Sequence, residues 1–592
     1  MPSDRRHLLA VARGDEPPDL VITGGRVFAP TAEWVEADVA VASGRIAGVG
    51  SYSDGERIDA SGRYVVPGFI DAHMHLESSK VMPHELARVV VPHGTTAVVC
   101  DPHEIANVLG RDGVHWLIDA CEGLPLDVYF MAPSCVPASP HESPREPFTI
   151  EDIESILRRK RTLGIAEMMN FPAVIAGDES ELDKLRASPH VDGHAPGVSG
   201  RALDAYAAAG IRSDHEATTV EEAWEKRRRG MWVLIREASN SRDLKALLPL
   251  VGRLGPDYFA FCTDDREPDL LQREGHVNQM CRIAVAEGLD PEVALLLASH
   301  NPARYHGLRE RGSIAPGYRA DLLVLPDLTD FRPSLVLKEG EVAFDGDDVR
   351  WPQAKQGIPA WVRESVRVAP LERRDLSPGP ADGEVHVIEV FDGRLFTGQR
   401  FESPRLDEGV VTADPERDLA LIAVVERHHA TGRIGTGLVT GFGLRQGAFA
   451  ATVAHDAHNL VVVGTDRDDM LRCIERLVAL GGGIVVVAGG EVTAQLPLPV
   501  AGLISDRPLD EVVGALDRVH DALRALGVRL EAPLMSLSFL ALSVIPQLKI
   551  TDRGLVDVER SQIVPLQAER GDLAGTMVEP AHDLDEETID GT

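Results

Sequence analysis

Between residues 68 and 312 the chain keeps returning to one pattern, a short apolar run followed by an amphipathic one. Runs of strand length fall at 65–75, 95–104, 126–136, 164–171, 190–195, 211–216, 231–238 and 258–264, with helical patterns between them, for example at 150–162 and 219–229. Strands that alternate with helices predict a parallel sheet. Eight of them in roughly 245 residues match the size of a (β/α)8 barrel. In the last run Ala260, Cys262 and Asp264 share one face and Phe259 and Phe261 the other. Strand side chains alternate, so this suits a barrel wall with small residues inside and aromatics against the helices.

Such a barrel accounts for less than half of the 592 residues, and a chain of this length needs two or three cores. Strand-and-turn patterns at 19–28 and 37–49 return at 312–326 and 335–344, so both flanks of the barrel are expected to build one small β domain. A Pro/Gly-rich stretch at 377–383 reads as a linker. Beyond it lies a further region with its own strands and helices. Within that region GGGIVVVAGG at 481–490 reads as a buried strand between glycine turns, since a phosphate loop would need a lysine and a following helix. The acidic, apolar-poor tail from Ala581 is expected to fray.

Barrels of this kind carry their chemistry at the C-terminal ends of the strands. The first strand ends in PGFIDAHMHLE, where His73 and His75 at i, i+2 point the same way and can both ligate one ion. Other strand ends supply Glu167 (AEMMN), His194 (DGHAPG), His215 (SDHEAT) and Asp264 (CTDD). Four imidazoles and two carboxylates suit a divalent ion such as Zn, Mn or Fe(II). Six ligands exceed what one open site needs, and suffice for two ions bridged by Glu167.

The formal net charge of −33 argues against nucleic-acid and anionic-membrane partners, which need a basic footprint. Six scattered cysteines without a CxxC pair argue against a disulfide framework or a thiolate zinc knuckle, and for buried reduced thiols. No apolar signal core or membrane-length apolar run is found, so a cytoplasmic location is expected. A homo-oligomer, most simply a dimer, is expected as well.

The segments PGFIDAHMHLESS, VVCDPHEIANVLG, AEMMNFPAVIAGD, DGHAPGVSG, SDHEAT and SHNPARYHGL together resemble the amidohydrolase superfamily, and within it the bacterial adenine deaminases. GLVTGFGL, VAHDAHNLVVVGTD, LPLPVAG and IPQLKITDRG extend the resemblance through the C-terminal region. Glu167 stands where wider relatives often carry a carboxylated lysine, as in the adenine deaminases. The resemblance implies an α/β protein: a (β/α)8 TIM-like barrel with a β-sandwich domain formed from both flanks, plus a C-terminal α/β domain. The expected boundaries are 1–67 with 313–376 for the sandwich, 68–312 for the barrel and 384–592 for the C-terminal domain.

It also implies hydrolytic deamination of free adenine to hypoxanthine and ammonia by metal-activated hydroxide, with another amidohydrolase reaction on a cyclic amide or N-acyl bond as the alternative. Asp264 is then both ligand and proton carrier between water and the leaving amine. Glu104 stands as the acid for the ring nitrogen, its pKa raised by burial, or simply as an acidic residue at a helix start. His103, Ser239 and Glu237 are candidates to contact substrate; His103 can equally be a histidine behind the ligands or at the surface. His455, Asp456 and His458 can form another metal site, a turn held by side-chain hydrogen bonds, or a contribution to the active site from across a domain interface.

Overall fold

A computed structural model describes residues 5–350 and 357–568; the acidic tail lies outside the described residues. Five strands precede the barrel: β1 Leu20–Phe28, β2 Trp34–Ala42, β3 Arg45–Gly50, β4 Glu56–Asp59 and β5 Tyr64–Pro67. The barrel strands are β6 Phe69–Met74, β7 Thr95–Cys100, β8 Asp127–Ala132, β9 Thr162–Met168, β10 Val191–Gly193, β11 Ser213–Asp214, β12 Trp232–Arg236 and β13 Phe259–Cys262. Three more follow it, β14 Leu322–Leu325, β15 Leu335–Lys338 and β16 Glu341–Phe344.

The strands of both flanks make one sheet in the order β16-β15-β14-β5-β1-β2-β3, with β4 beside β1. β14 pairs antiparallel with β5 and so joins the two flanks. Ile46 near one end of this order and Leu337 near the other share a core with Ile22, Val39, Val65 and Leu322. The Ala320 N–H donates to the Gly44 carbonyl at 3.0 Å. The sheet therefore curls over a single apolar interior as a sandwich.

The run at 65–75 is two strands and not one. β5 belongs to the sandwich and β6 to the barrel, and Gly68 between them is where the chain changes sheet. A Cβ on Gly68 would stand 2.2 Å from Thr96 Oγ1, so only glycine lets the crossing pass this close to β7.

Parallel pairing runs β6-β7-β8-β9-β10 and β11-β12-β13. Two seams close the ring. At one, the Asp264 N–H donates to the His73 carbonyl at 3.0 Å, and Asp71 Oδ1 accepts the Thr263 N–H at 3.1 Å. At the other, the Gly193 N–H donates to Ser213 Oγ at 3.0 Å and the Ala195 N–H to Asp214 Oδ1 at 2.9 Å. β10 and β11 are shorter than the runs in the sequence because side chains take over the pairing here. Ala260 and Cys262 pack inside with Ala72 and Leu234, while Phe259 and Phe261 face the helix layer, as the alternation predicts.

The C-terminal domain is built on an eight-stranded sheet. Leu421 and Ala423 point to the helix Arg467–Leu480 through Cys473, Ile474 and Leu477. Ile422 and Val424 point the other way, into an apolar cluster that continues without a break into the barrel helices. The glycine-bounded run is a buried strand, Gly483–Ala488. All six cysteines are buried and free. Among the described residues no helix is long and apolar enough to cross a membrane.

Candidate active site

Asp71, buried in β6, accepts the backbone N–H groups of His73 and Thr263 at 3.3 and 3.1 Å, and so fixes the first histidine against the last strand. The His75 N–H donates to the Asp264 carbonyl at 3.3 Å, which sets both side chains on one rim. Asp264 holds a φ of +53°, a left-handed conformation that costs energy in a non-glycine residue and that turns its carboxylate toward the histidines.

Glu167 lies at the centre, and its two oxygens face different partners. Oε1 stands 3.4 Å from His75 Nε2 and 3.8 Å from His73 Nε2. Oε2 stands 2.7 Å from His194 Nδ1 and 3.2 Å from His215 Nε2. Asp264 Oδ1 joins the first set, 3.0 Å from His75 Nε2 and 3.7 Å from His73 Nε2. The sequence-predicted ligands thus meet as two groups that share one carboxylate.

The donor set fits divalent ions. His73 Nδ1 and Nε2, His194 Nε2 and His215 Nδ1 are buried without hydrogen-bond partners among the described residues. Buried imidazoles left this way are costly unless a ligand satisfies them. His75 Nδ1 donates to the Asp101 carbonyl at 3.1 Å, which fixes the tautomer that frees Nε2 for an ion. Burial alone would raise the Glu167 and Asp264 carboxyls. His215 and His194 reverse this for Glu167, and His73, His75 and Arg236 do so for Asp264, holding both well below the usual carboxylate range.

Several contributors were not foreseen. Arg236 at the end of β12 is fully buried and donates to Asp264 Oδ2 and Asp243 Oδ2, each at 3.1 Å, and to Glu216. It steadies the oxygen of Asp264 that faces away from the histidines. An arginine in an otherwise apolar strand run is itself a signal, because a buried guanidinium needs acidic partners. Asp265 accepts from Ser78 Oγ and lines the same small cavity as His75, Glu167, His194 and Asp264.

His103 lines that cavity as well, with Nδ1 3.1 Å from Asp101 Oδ2 and 3.6 Å from Glu167 Oε1. Ser239 and Glu237 are not brought to it. The Ser239 hydroxyl accepts the Glu267 N–H at 2.7 Å and braces the loop after β13, while Glu237 lies 3.7 Å from Arg242. Strand β12 ends at Arg236, so both follow the strand on the turn that the 3.1 Å hydrogen bond from the Glu237 N–H to the Cys262 carbonyl starts.

The rest of the cavity wall comes from the C-terminal domain: Leu395, His455, Asp456, Phe539, Leu542 and Ile545. From the HDAH segment, His455 and Asp456 line the cavity across the interface, and His458 stands against Glu104. Glu104 meets this wall. Its Oε1 lies 2.6 Å from His455 Nδ1, and its Oε2 pairs with His458 Nε2. The start of helix His103–Ala120 is capped by another acid, because the Ile105 N–H donates to Glu77 Oε1 at 3.0 Å. Burial would raise the Glu104 carboxyl as expected, but His455 and His458 overturn it and hold the group well below the usual range. The raised pKa expected of Glu104 is therefore corrected.

A parallel barrel with His/Asp/Glu ligands at its C-terminal rim, beside a sandwich from both flanks, is the architecture of the amidohydrolases. The amidohydrolase family model matches residues 64–343. A second model, the adenine deaminase C-terminal domain, matches residues 394–562. Curated relatives named adenine deaminase align over nearly the whole chain. That of Desulfatibacillum aliphaticivorans is 45% identical over 94% of this chain and 99% of its own. That of Cereibacter sphaeroides is 46% identical over 94% and 99%, and adenine deaminase 2 of Carboxydothermus hydrogenoformans 43% over 95% and 99%. The chain belongs to the adenine deaminase family.

Proposed function

We propose that the chain hydrolyses free adenine to hypoxanthine and ammonia at a centre of two divalent ions. The observation that carries the reading is the division of Glu167 between two ligand groups, on a chain related to adenine deaminases from end to end. His73, His75 and Asp264 would hold one ion, His194 and His215 the other, and Glu167 both. Divalent ions held there bring the pKa of a water toward neutrality, and Mn, Fe(II) and Zn all accept this donor set.

Asp264 carries a proton from the water to the departing amine. Its ionised state and its fixed second oxygen, held by Arg236, suit a carboxylate that must accept before it donates. His103 belongs to the half of the cavity that would face the purine ring, and Glu104 stands behind that half against His455 and His458. The acidic chain disfavours phosphorylated substrates at long range, in keeping with the free base.

The separate sheets support the division into 1–67 with 313–376, 68–312 and 384–592. A cytoplasmic location is supported by the six buried free thiols. The expected dimer draws support from strand Glu491–Pro497, which among the described residues pairs on one side only and leaves a sheet edge to which a second chain can add. Light scattering checks it, with the mass of a monomer as the refuting result.

Ammonia release from adenine, adenosine, guanine, cytosine and hydantoin by the manganese-supplemented protein tests the function. Adenine should be turned over and adenosine poorly. Preference for hydantoin would replace this reading with a cyclic-amide hydrolase.

A further inference from the structure

The HDAH loop turns two imidazoles toward Glu104, and their geometry assigns them different tasks. His458 Nδ1 accepts the Ala454 N–H at 3.1 Å, so its proton sits on Nε2 and is donated to Glu104 Oε2. A ring fixed in that tautomer has no lone pair on Nε2 for a metal. Glu104, His455 and His458, although their donor atoms cluster within 4.8 Å, are thus not a third cation site.

His455 is placed differently. Nδ1 faces Glu104 Oε1 at 2.6 Å, and the ring stacks on Phe539 at 4.9 Å between centroids with 19° between planes. Nε2 is buried without a hydrogen-bond partner among the described residues and stands 3.8 Å from Asp265 Oδ1. His455 and Asp265 both line the cavity beside Glu167 and Asp264; Glu104 is not among the lining side chains and stands behind His455. A carboxylate on one ring nitrogen with the other nitrogen open to a cavity is the arrangement that orients an imidazole for proton transfer.

We propose that His455, supplied by the C-terminal domain, is the residue that protonates the purine ring nitrogen, and that Glu104 is its positioning carboxylate. The proposal rests on the adenine deaminase reading. As the C6–O bond forms, the ring nitrogen takes the Nε2 proton of His455. Asp264 takes one proton of the water and passes it to the amine, which leaves as ammonia when the C6–N bond breaks. The second water proton, released as C6–O becomes a carbonyl, restores His455.

The surroundings agree. The charged groups facing His455 are Glu104, Asp265 and Asp456, with His458 and Phe539 completing its cage. Burial alone would strip the imidazole of its proton, but Glu104 and Asp265 push its pKa up to about 9. His455 thus holds a proton at neutral pH, and Glu104 does not.

His455→Gln should keep manganese content and melting behaviour but lower kcat on adenine by about 10²–10⁴-fold, the range of a lost proton-transfer group. The pH profile supplies a test that does not depend on how that variant folds. An acid must be protonated to act, so wild-type kcat should fall as pH rises through about 9. In Glu104→Gln that fall should move to lower pH, because the carboxylate that raises His455 is gone, while measurable turnover remains. Near-normal kcat in His455→Gln, or Glu104→Gln inactive at every pH, overturns the proposal and returns the acid role to Glu104. No ammonia from adenine in the wild type would instead overturn the deaminase reading itself.

Discussion

The rim of the barrel and the wall that faces it build one cavity by opposite means. On the rim the functional side chains stand at strand ends, and the strands are held in register by backbone pairing and by Asp71. On the wall, His455, Phe539 and Leu395 come from three separate stretches of the C-terminal domain and meet only because tertiary packing brings them there. The rim gathers its donors into two groups around Glu167; the wall closes the rest of the cavity. Mutations on the two sides should therefore separate metal content from turnover.

The largest effect is expected at the shared carboxylate. Glu167→Gln should lose bound metal together with activity, by at least the ~10²–10⁴-fold typical of a lost proton-transfer group. Elemental analysis of wild type should give about two ions per chain by the bridging argument. Full activity with one ion would remove Glu167 from the bridging position. Arg236→Gln, which frees one oxygen of Asp264, should cost about 10–100-fold in metal affinity or rate, as for other residues that orient a ligand. Metal titration together with steady-state rates checks this, and unchanged values for both would make Arg236 a purely structural residue.

On the wall, Phe539→Leu should leave metal content intact. Ring stacking of about 0.5–1.5 kcal/mol holds His455, so kcat should fall by a factor of about 2–10. A loss of metal in this variant would erase the distinction between rim and wall.

The smallest effect on turnover is expected behind the wall, at Lys549, whose ammonium is buried and donates to the Leu395 and Phe539 carbonyls at 2.9 and 3.1 Å. Burial pushes its pKa down to about 7. Between that value and the ordinary lysine pKa of about 10.4 the unfolded chain binds more protons than the folded one, so folding stability rises with pH across this window. Melting temperatures of wild type and Lys549→Met should therefore shift in favour of the wild type from pH 7 to pH 10. A constant difference would show that the buried amine stays charged throughout.

The contrast between rim and wall also explains what could be read in advance. The barrel and its ligands were legible because a repeated strand–helix pattern fixes where each strand ends, and the metal-type residues stand at those ends. The division of the 65–75 run was not, since the change of sheet at Gly68 depends on the closeness of Thr96. Arg236 is marked in the sequence only by its charge within an apolar strand, and its acidic partners Glu216, Asp243 and Asp264 come from other segments. The low pKa of Glu104 could not be read locally, because His455 and His458 lie about 350 residues further along the chain. Conversely, Glu237 and Ser239 continue an apolar run in the sequence, while the backbone ends β12 at Arg236.

The unbroken apolar cluster shared by the barrel and the C-terminal sheet bears on how the molecule is made. Synthesis runs from the N-terminus, so every rim histidine leaves the ribosome long before Phe539 does. A chain that stops before residue 455 has the rim side chains but neither the imidazole nor the aromatic wall that complete the cavity. The cavity is therefore completed only by residues near the end of the described chain, and until they are made the apolar face that the barrel helices share with the C-terminal sheet has no cover.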